Sequence, residues 1–247
     1  MKNRRIKVVA ASVKGPMHQH KNLPCQDFFK FCRKGKNFVA VVSDGAGSAK
    51  YGKIGAKTVC ETLIDHLKNA PAGTLKETVK KAIEISRNKV CRHRLNQTKS
   101  PEHINDFAAT VVGVVHDGEK GSFFHIGDGA ALAFKDGAPQ QFVASPPENG
   151  SFSCETFFFT QKNWKANLRF TEFSGLDTIF LMSDGLTNFA FSKDFDRIEN
   201  GFILPIHDFL LTEKPEKKAS RALANTLNNA QARKLNQDDK TLLWAKL

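Results

Sequence analysis

The sequence predicts an α+β layered domain, with strands and helices arriving in blocks and not in the regular alternation of a doubly wound parallel sheet. Three observations predict it. Segments of strand period fill the first 44 residues, two long stretches of helical period follow between 52 and 96, and short strands separated by turn dipeptides return from 107.

IKVVAASV (6–13), DFFKFCRK (27–34) and NFVAVVSD (37–44) read as strands, the last two joined by a tight turn around Gly35. From Gly52 to Lys68 the apolar positions Ile54, Val59, Leu63, Ile64 and Leu67 fall at helical spacing. After PAGT a second helix is expected from Leu75 to Asn96, with Thr74 as its cap. FAATVVGVVHD, GSFFHIGD, ALAFKDG and PQQFVA then read as an antiparallel meander punctuated by Asp117-Gly118 and Asp136-Gly137. Residues 145–175 show weak periodicity and are expected to form loops with one or two strands. TIFLMSD (178–184) is a buried strand, 204–211 and 216–234 are helices, and KTLLWAKL closes the chain as a strand. No long polar linker interrupts this order, so residues 1–247 are expected to form one domain.

Composition excludes several classes. At 247 residues, 40% hydrophobic and 25% charged, the chain has the material for a core and is not a disordered protein. Its longest apolar runs, such as VAVV and TIFLM, have strand length, well short of the ~18 residues of a membrane-spanning helix. The basic start MKNRRIKVVAASVKG resembles a signal peptide only superficially, because its apolar run closes at Lys14. Cysteines stand at 25, 32, 60, 91 and 154 with no C-x-x-C pair, which fits reduced thiols and a cytoplasmic location. The formal charge of +12 is partly concentrated in 76–99, where Lys76, Lys80, Lys81, Arg87, Lys89, Arg92, Arg94 and Lys99 face only Glu77 and Glu84. That spacing fits the solvated face of a helix better than a nucleic-acid interface.

The chemistry lies in the carboxylates. VVSDGAGS (41–48) and FLMSDGLTN (180–188) each end an apolar strand with Ser-Asp-Gly, placing Asp44 and Asp184 at strand tips. A carboxylate there needs a partner, and a following Gly lets a ligand approach the backbone. Asp27 in LPCQDFF, Asp238 in NQDDKTLLW and Asp128 in FFHIGDGAAL have similar settings. Oxygen ligands with few histidines suit Mg²⁺ or Mn²⁺ and suit zinc poorly. A competing motif is GSAKYGKI (47–54), close to the phosphate-binding loop G-x-x-x-x-G-K-[ST] but with Ile54 in place of the hydroxyl. Its parallel sheet is not matched by the meander after 107.

Taken in order, Gln26-Asp27, VVSDGAGS, AATVVGVV, HIGDGAALAF, LMSDGLTNF and QDDKTLLW resemble the metal-dependent serine/threonine phosphatases of the protein phosphatase 2C type, in a bacterial-type form. The resemblance spans nearly the whole chain. It implies a four-layer αββα sandwich of two antiparallel sheets flanked by helix pairs. It also implies a two-metal centre of Mn²⁺ or Mg²⁺ at one edge, with a weaker third ion. By the same resemblance Asp44 bridges two ions, the Gly45 carbonyl is a further ligand, Asp27, Asp184 and Asp238 complete the set, and Asp128 joins Asp184 at the third. Hydrolysis of phosphoserine and phosphothreonine in proteins follows, with Asp44, Asp184 and His18 as the catalytic candidates. A phosphoprotein substrate is the implied partner, together with a serine/threonine kinase or its targets, in a monomeric signalling enzyme. This chain departs from the family at Ala46, where animal members have a His, at Asn22, where many relatives have an Arg, and at Ala130, which follows the Gly-Asp-Gly without an Arg. His18, His20 and Lys21 are the substitutes on offer, and a catalytically weakened binding module with a basic recruitment surface is the rival reading.

Overall fold

The computed structural model describes residues 6–71, 73–96, 101–148 and 156–247. The chain opens with β1 (Lys7–Val13), α1 (Pro16–His20), β2 (Phe28–Lys34), β3 (Asn37–Ser43), α2 (Gly52–Leu67) and α3 (Leu75–Cys91). A strand-rich middle follows: β4 (Val111–His116), β5 (Lys120–Ile126), β6 (Ala130–Lys135), β7 (Ala138–Ser145), β8 (Arg169–Ser174) and β9 (Thr178–Met182). It closes with α4 (Thr187–Ala190), α5 (Asn200–Thr212), α6 (Glu216–Leu227), α7 (Ala230–Leu235) and β10 (Lys240–Lys246).

The strands form two five-stranded sheets, ordered β1-β10-β9-β6-β7 and β2-β3-β4-β5-β8. Every pairing between these strands is antiparallel. The period-2 alternation serves two cores at once. In β3, Phe38, Ala40 and Val42 face the other sheet and meet Val8, Val112, Leu181 and Leu243. Val39 and Val41 point outward onto Leu63, Leu67, Val79 and Ile83 of the α2–α3 pair. On the far side Phe180, Leu132 and Trp244 meet Ile203, Leu210 and Leu223 of α5 and α6. Each such fully buried side chain contributes about 1.5–3 kcal/mol of burial. The result is the four-layer αββα sandwich, helices outside and two antiparallel sheets within.

Several expectations need correction. The four strands after 107 are not one meander: β4 and β5 belong to one sheet, β6 and β7 to the other, and the chain crosses between them at 127–129, where Gly127 has φ +109°. The first of these strands begins at Val111, not at Phe107. α3 ends at Cys91, because the Asn96 side chain turns back to donate to the Cys91 carbonyl (2.9 Å). Thr74 is the N-cap residue of α3 as expected, its carbonyl accepting from Thr78 N (2.9 Å), but its hydroxyl makes no cap bond and donates to the Pro71 carbonyl. The helix expected over 216–234 is two, since Asn229 restarts it by accepting from the Ala232 N–H (2.8 Å). Arg87 is no solvated charge: its guanidinium donates to the Phe159 and Gln161 carbonyls (2.7 and 2.9 Å). β3 runs antiparallel to both neighbours, so the loop at 47–54 lacks the parallel sheet a phosphate-binding loop requires. Cys25, Cys32 and Cys60 are free thiols, whereas Cys154 and Lys99 lie outside the described residues. No described helix is long and apolar enough to cross a membrane.

Candidate metal centre

Strand register gathers the acids at one end of the sandwich. Asp27 precedes β2 and Asp44 follows β3, and the pairing Phe28↔Ser43 sets them side by side. Met182, at the end of β9, pairs with Ala130 on one side and Leu242 on the other. The segments carrying Asp128, Asp184 and Asp238 are therefore neighbours too. Asp44 is fixed through its backbone: its N–H donates to Thr110 Oγ1 (3.0 Å) and its carbonyl accepts from Thr110 N (2.8 Å). The 238–239 turn is gripped between two glycines. A Cβ on Gly15 would come within 2.3 Å of the Asp238 carbonyl carbon, and one on Gly185 within 2.0 Å of the Asp239 oxygen.

The carboxylates are crowded beyond what hydrogen bonding satisfies. Burial pushes Asp44 well above the usual carboxylate range, and the nearby charges of Asp27, Asp184 and Asp238 push it further. Asp184 is raised well above that range by burial and then by Asp128, Asp238 and Asp27. Asp128 is raised chiefly by burial, although Thr156 donates to its Oδ2 (2.5 Å). Asp27 is raised by burial to about 6 even though Ser183 donates to its Oδ2 (2.7 Å). The charge of Asp27 is the largest of the neighbouring charges on Asp44, and a cation between the two carboxylates would relieve that repulsion. Among the described residues, Oδ1 of Asp27, of Asp128 and of Asp184 is buried with no donor. Three orphaned anionic oxygens and an all-oxygen donor set fit hard divalent cations. Beside them, the Gly45 carbonyl accepts from the Gln26 amide when that amide nitrogen is turned toward it (2.9 Å).

Asp239, which sequence reasoning passed over in favour of its neighbour, does something different. It is 1% exposed and its oxygens accept from Gly15 N (2.7 Å), Gln26 N (2.6 Å) and His18 Nδ1 (2.8 Å). His18, Asp238 and Asp239 also bring ligand-type atoms within 4.8 Å of one another, the only such trio among the described residues. We assign no ion to that trio, since the His18–Asp239 bond already accounts for its closeness and the donors leave Asp239 little free capacity. The expected acids do not form so tight a trio. A centre whose ions keep several waters leaves its carboxylates further apart. Lys240 supports the turn from behind, its buried ammonium donating to the Asn236 and Asp238 carbonyls (2.8 and 2.9 Å).

Of the proposed substitutes, His20 and Lys21 are exposed and His18 is buried. Ala46 packs against Ala49 and Ala108, so its place is filled by a small apolar cluster. Asn22 is exposed with φ +53°, and Ala130 is buried in β6.

The family model for protein phosphatase 2C matches residues 14–228, a span that ends before Asp238. A comparison with the curated proteins returns no match. Among solved structures, the serine/threonine phosphatase Stp1 from Staphylococcus aureus superposes with a TM-score of 0.68 at 15% identity, covering 99% of this chain and 96% of that one. The catalytic domain of the serine/threonine phosphatase PstP, solved with two manganese ions, gives 0.65 at 16% identity over 98% and 97%. RsbX, solved with magnesium, gives 0.60 at 13% identity over 100% and 98%.

Proposed function

The chain belongs to the protein phosphatase 2C family, and from that premise we propose that it hydrolyses phosphoserine and phosphothreonine in proteins at a centre for two Mn²⁺ or Mg²⁺ ions. The observation that carries the reading is the set of buried, donorless oxygens on Asp27, Asp128 and Asp184 around Asp44. Asp44, whose carboxyl feels the charges of Asp27, Asp184 and Asp238, would hold the ions together with them. The Gly45 carbonyl, Asp27, Asp184 and Asp238 would complete the set, and Asp128 with Asp184 would hold a weaker third. When bound, such ions lower the pKa of water for in-line attack and offset charge on the phosphoryl oxygens. Neutralisation of the acid cluster is also what a phosphate dianion needs before it can enter.

His18 supplies what Ala46 cannot. Its Nδ1–H is held on the Asp239 carboxylate, which only accepts, so in the neutral ring Nε2 carries a lone pair; to give a proton to the departing serine or threonine alkoxide the ring would have to enter the step as the imidazolium, with the second proton on Nε2. Cys25 does not compete as a nucleophile, because burial, Asp27 and Asp239 drive its thiol pKa far upward and keep it protonated. Retention of the whole acid set with its supporting bonds favours the enzyme over a weakened binding module. The test is phosphate release from a phosphothreonine peptide and from 4-nitrophenyl phosphate with Mn²⁺, with excess EDTA, and after thiol alkylation. Release that stops with EDTA and survives alkylation is expected; the opposite pattern refutes the reading.

A further inference from the structure

We infer that the surface formed by α1 and α7 beside the metal centre is a docking rim for acidic, apolar segments of a phosphoprotein substrate, an inference that rests on the phosphatase reading. The two short helices are tied together: Met17 N donates to the Gln237 carbonyl (3.0 Å) and Arg233 Nη2 donates to Gln19 Oε1 (2.6 Å). Both reach the centre from within, α1 through buried His18 and α7 through the turn that leads to Asp238.

Their outer side has another character. Met17 is 36% exposed and Leu235 65%, two of only four large hydrophobics so exposed among the described residues. Leu235 keeps most of its side chain in water and Met17 a smaller part, one on each of the two tied helices. The same two segments carry His20, Lys21, Arg233 and Lys234, and 14–23 and 229–237 contain no Asp or Glu. None of the described carboxylates forms an ion pair with Lys21, Arg233 or Lys234. The basic face of α3 differs, since Lys80 pairs with Glu77 and Lys76 with Glu172.

Charge complementarity selects the occupant. An anionic substrate approaching a centre built of carboxylates is repelled until ions are bound, and cationic side chains on the segments that lead directly into Asp238 and His18 oppose that repulsion. Met17 and Leu235 add apolar contact that a nucleic-acid backbone would not use, and no Phe, Tyr or Trp is present in these segments to stack on bases. The rim therefore fits a peptide whose phosphorylated residue is flanked by Glu or Asp and by an aliphatic side chain.

The experiment uses the Mn²⁺-loaded protein, a phosphothreonine peptide with Glu and Leu flanks, a Gln/Ser-flanked control and 4-nitrophenyl phosphate. The variants are Leu235→Ser and the pair Lys21→Glu with Lys234→Glu. Each should lower kcat/KM for the Glu/Leu peptide about tenfold, leave the aryl phosphate within about twofold, and affect the control peptide little. Added salt should erase the wild-type advantage over the charge pair but not over Leu235→Ser. Binding of a fluorescent Glu/Leu peptide carrying a non-hydrolysable phosphonate, read by anisotropy, reports docking without turnover. If wild type hydrolyses nothing, the phosphatase reading fails while anisotropy still judges the rim. Equal loss on all substrates, unchanged peptide binding in both variants, or an oligonucleotide that competes equally well with wild type and Leu235→Ser would each overturn the rim.

Discussion

Asp238 and Asp239 are chemically identical neighbours with opposite roles, so replacing each by Asn should move stability in opposite directions. Asp239 takes three buried donors, and an Asn can keep oxygen toward only one side. With its oxygen left facing His18 Nδ1 and Gln26 N, the amide NH₂ must face Gly15 N–H at 2.7 Å, donor against donor. The loss is one hydrogen bond to a charged acceptor, about 1.5–3 kcal/mol, with a buried N–H left orphaned, for roughly 2–4 kcal/mol in total. For a chain of this size that lowers Tm by about 4–16 °C. Asp238→Asn keeps the acceptor used by Asp239 N (2.8 Å) and removes a charge that repels Asp44, Asp128 and Asp184. In EDTA it should be neutral or stabilising. Urea and thermal unfolding of both variants in EDTA, then in Mn²⁺, checks this; the Asp238→Asn protein should gain less from Mn²⁺ than wild type. Midpoints that shift equally in EDTA would refute the division of labour.

Further outcomes follow from the same geometry. Asp44→Asn should abolish turnover at saturating Mn²⁺, with Asp184→Asn nearly as severe and Asp128→Asn milder, as measured by kcat on 4-nitrophenyl phosphate; an active Asp44→Asn protein sinks the metal reading. In EDTA, Asp44→Asn should be more stable than wild type at pH 8, with the gap closing toward pH 5. The folded-state pKa of Asp44 lies above its unfolded value, so the folded chain holds the extra proton and the penalty of ionisation vanishes as pH falls. Urea midpoints across that range decide it. His18→Gln should slow a phosphothreonine peptide far more than an aryl phosphate, whose leaving group needs little protonation; equal slowing points to lost folding or binding. Arg87→Ala should destabilise the chain by about 1–3 kcal/mol by stranding the Phe159 and Gln161 carbonyls, whereas Lys81→Ala should change the urea midpoint little.

Strand order and the acid motifs were legible because both follow from short-range chemistry: apolar alternation, and Ser-Asp-Gly at the end of a buried run. What was illegible depended on partners distant in sequence. Nothing local distinguishes Asp238 from Asp239, and only Gly15, His18 and Gln26, brought up from the other end of the chain, do so. α1 is too short for any period to register, yet it carries His18. Asp128 read as one of the acid motifs, and the use of Gly127-Asp128-Gly129 as a passage from one sheet to the other required knowing the pairings of Ile126 and Ala130. The break between α6 and α7 did have a signal, the Asn228-Asn229 pair, since Asn favours a fresh helix start over a helix interior.

The strand that follows Asp238 and Asp239 is the last in the described order, yet it lies in the interior of its sheet, between β1 and β9. It enters like a keystone, closing a gap between strands that lie far apart in sequence, β1 at Lys7–Val13 and β9 at Thr178–Met182. Such long-range closure is slow and belongs late in folding. The acids themselves straddle the seam: Asp27 and Asp44 hang from one sheet, Asp184 and Asp238 from the other, and Asp128 from the passage between. Cations seated among them would rivet the two sheets against sliding. A chain caught before the keystone arrives would hold neither rivets nor the Asp239 anchor for His18, so hydrolytic power would arise in one step with the completed sandwich.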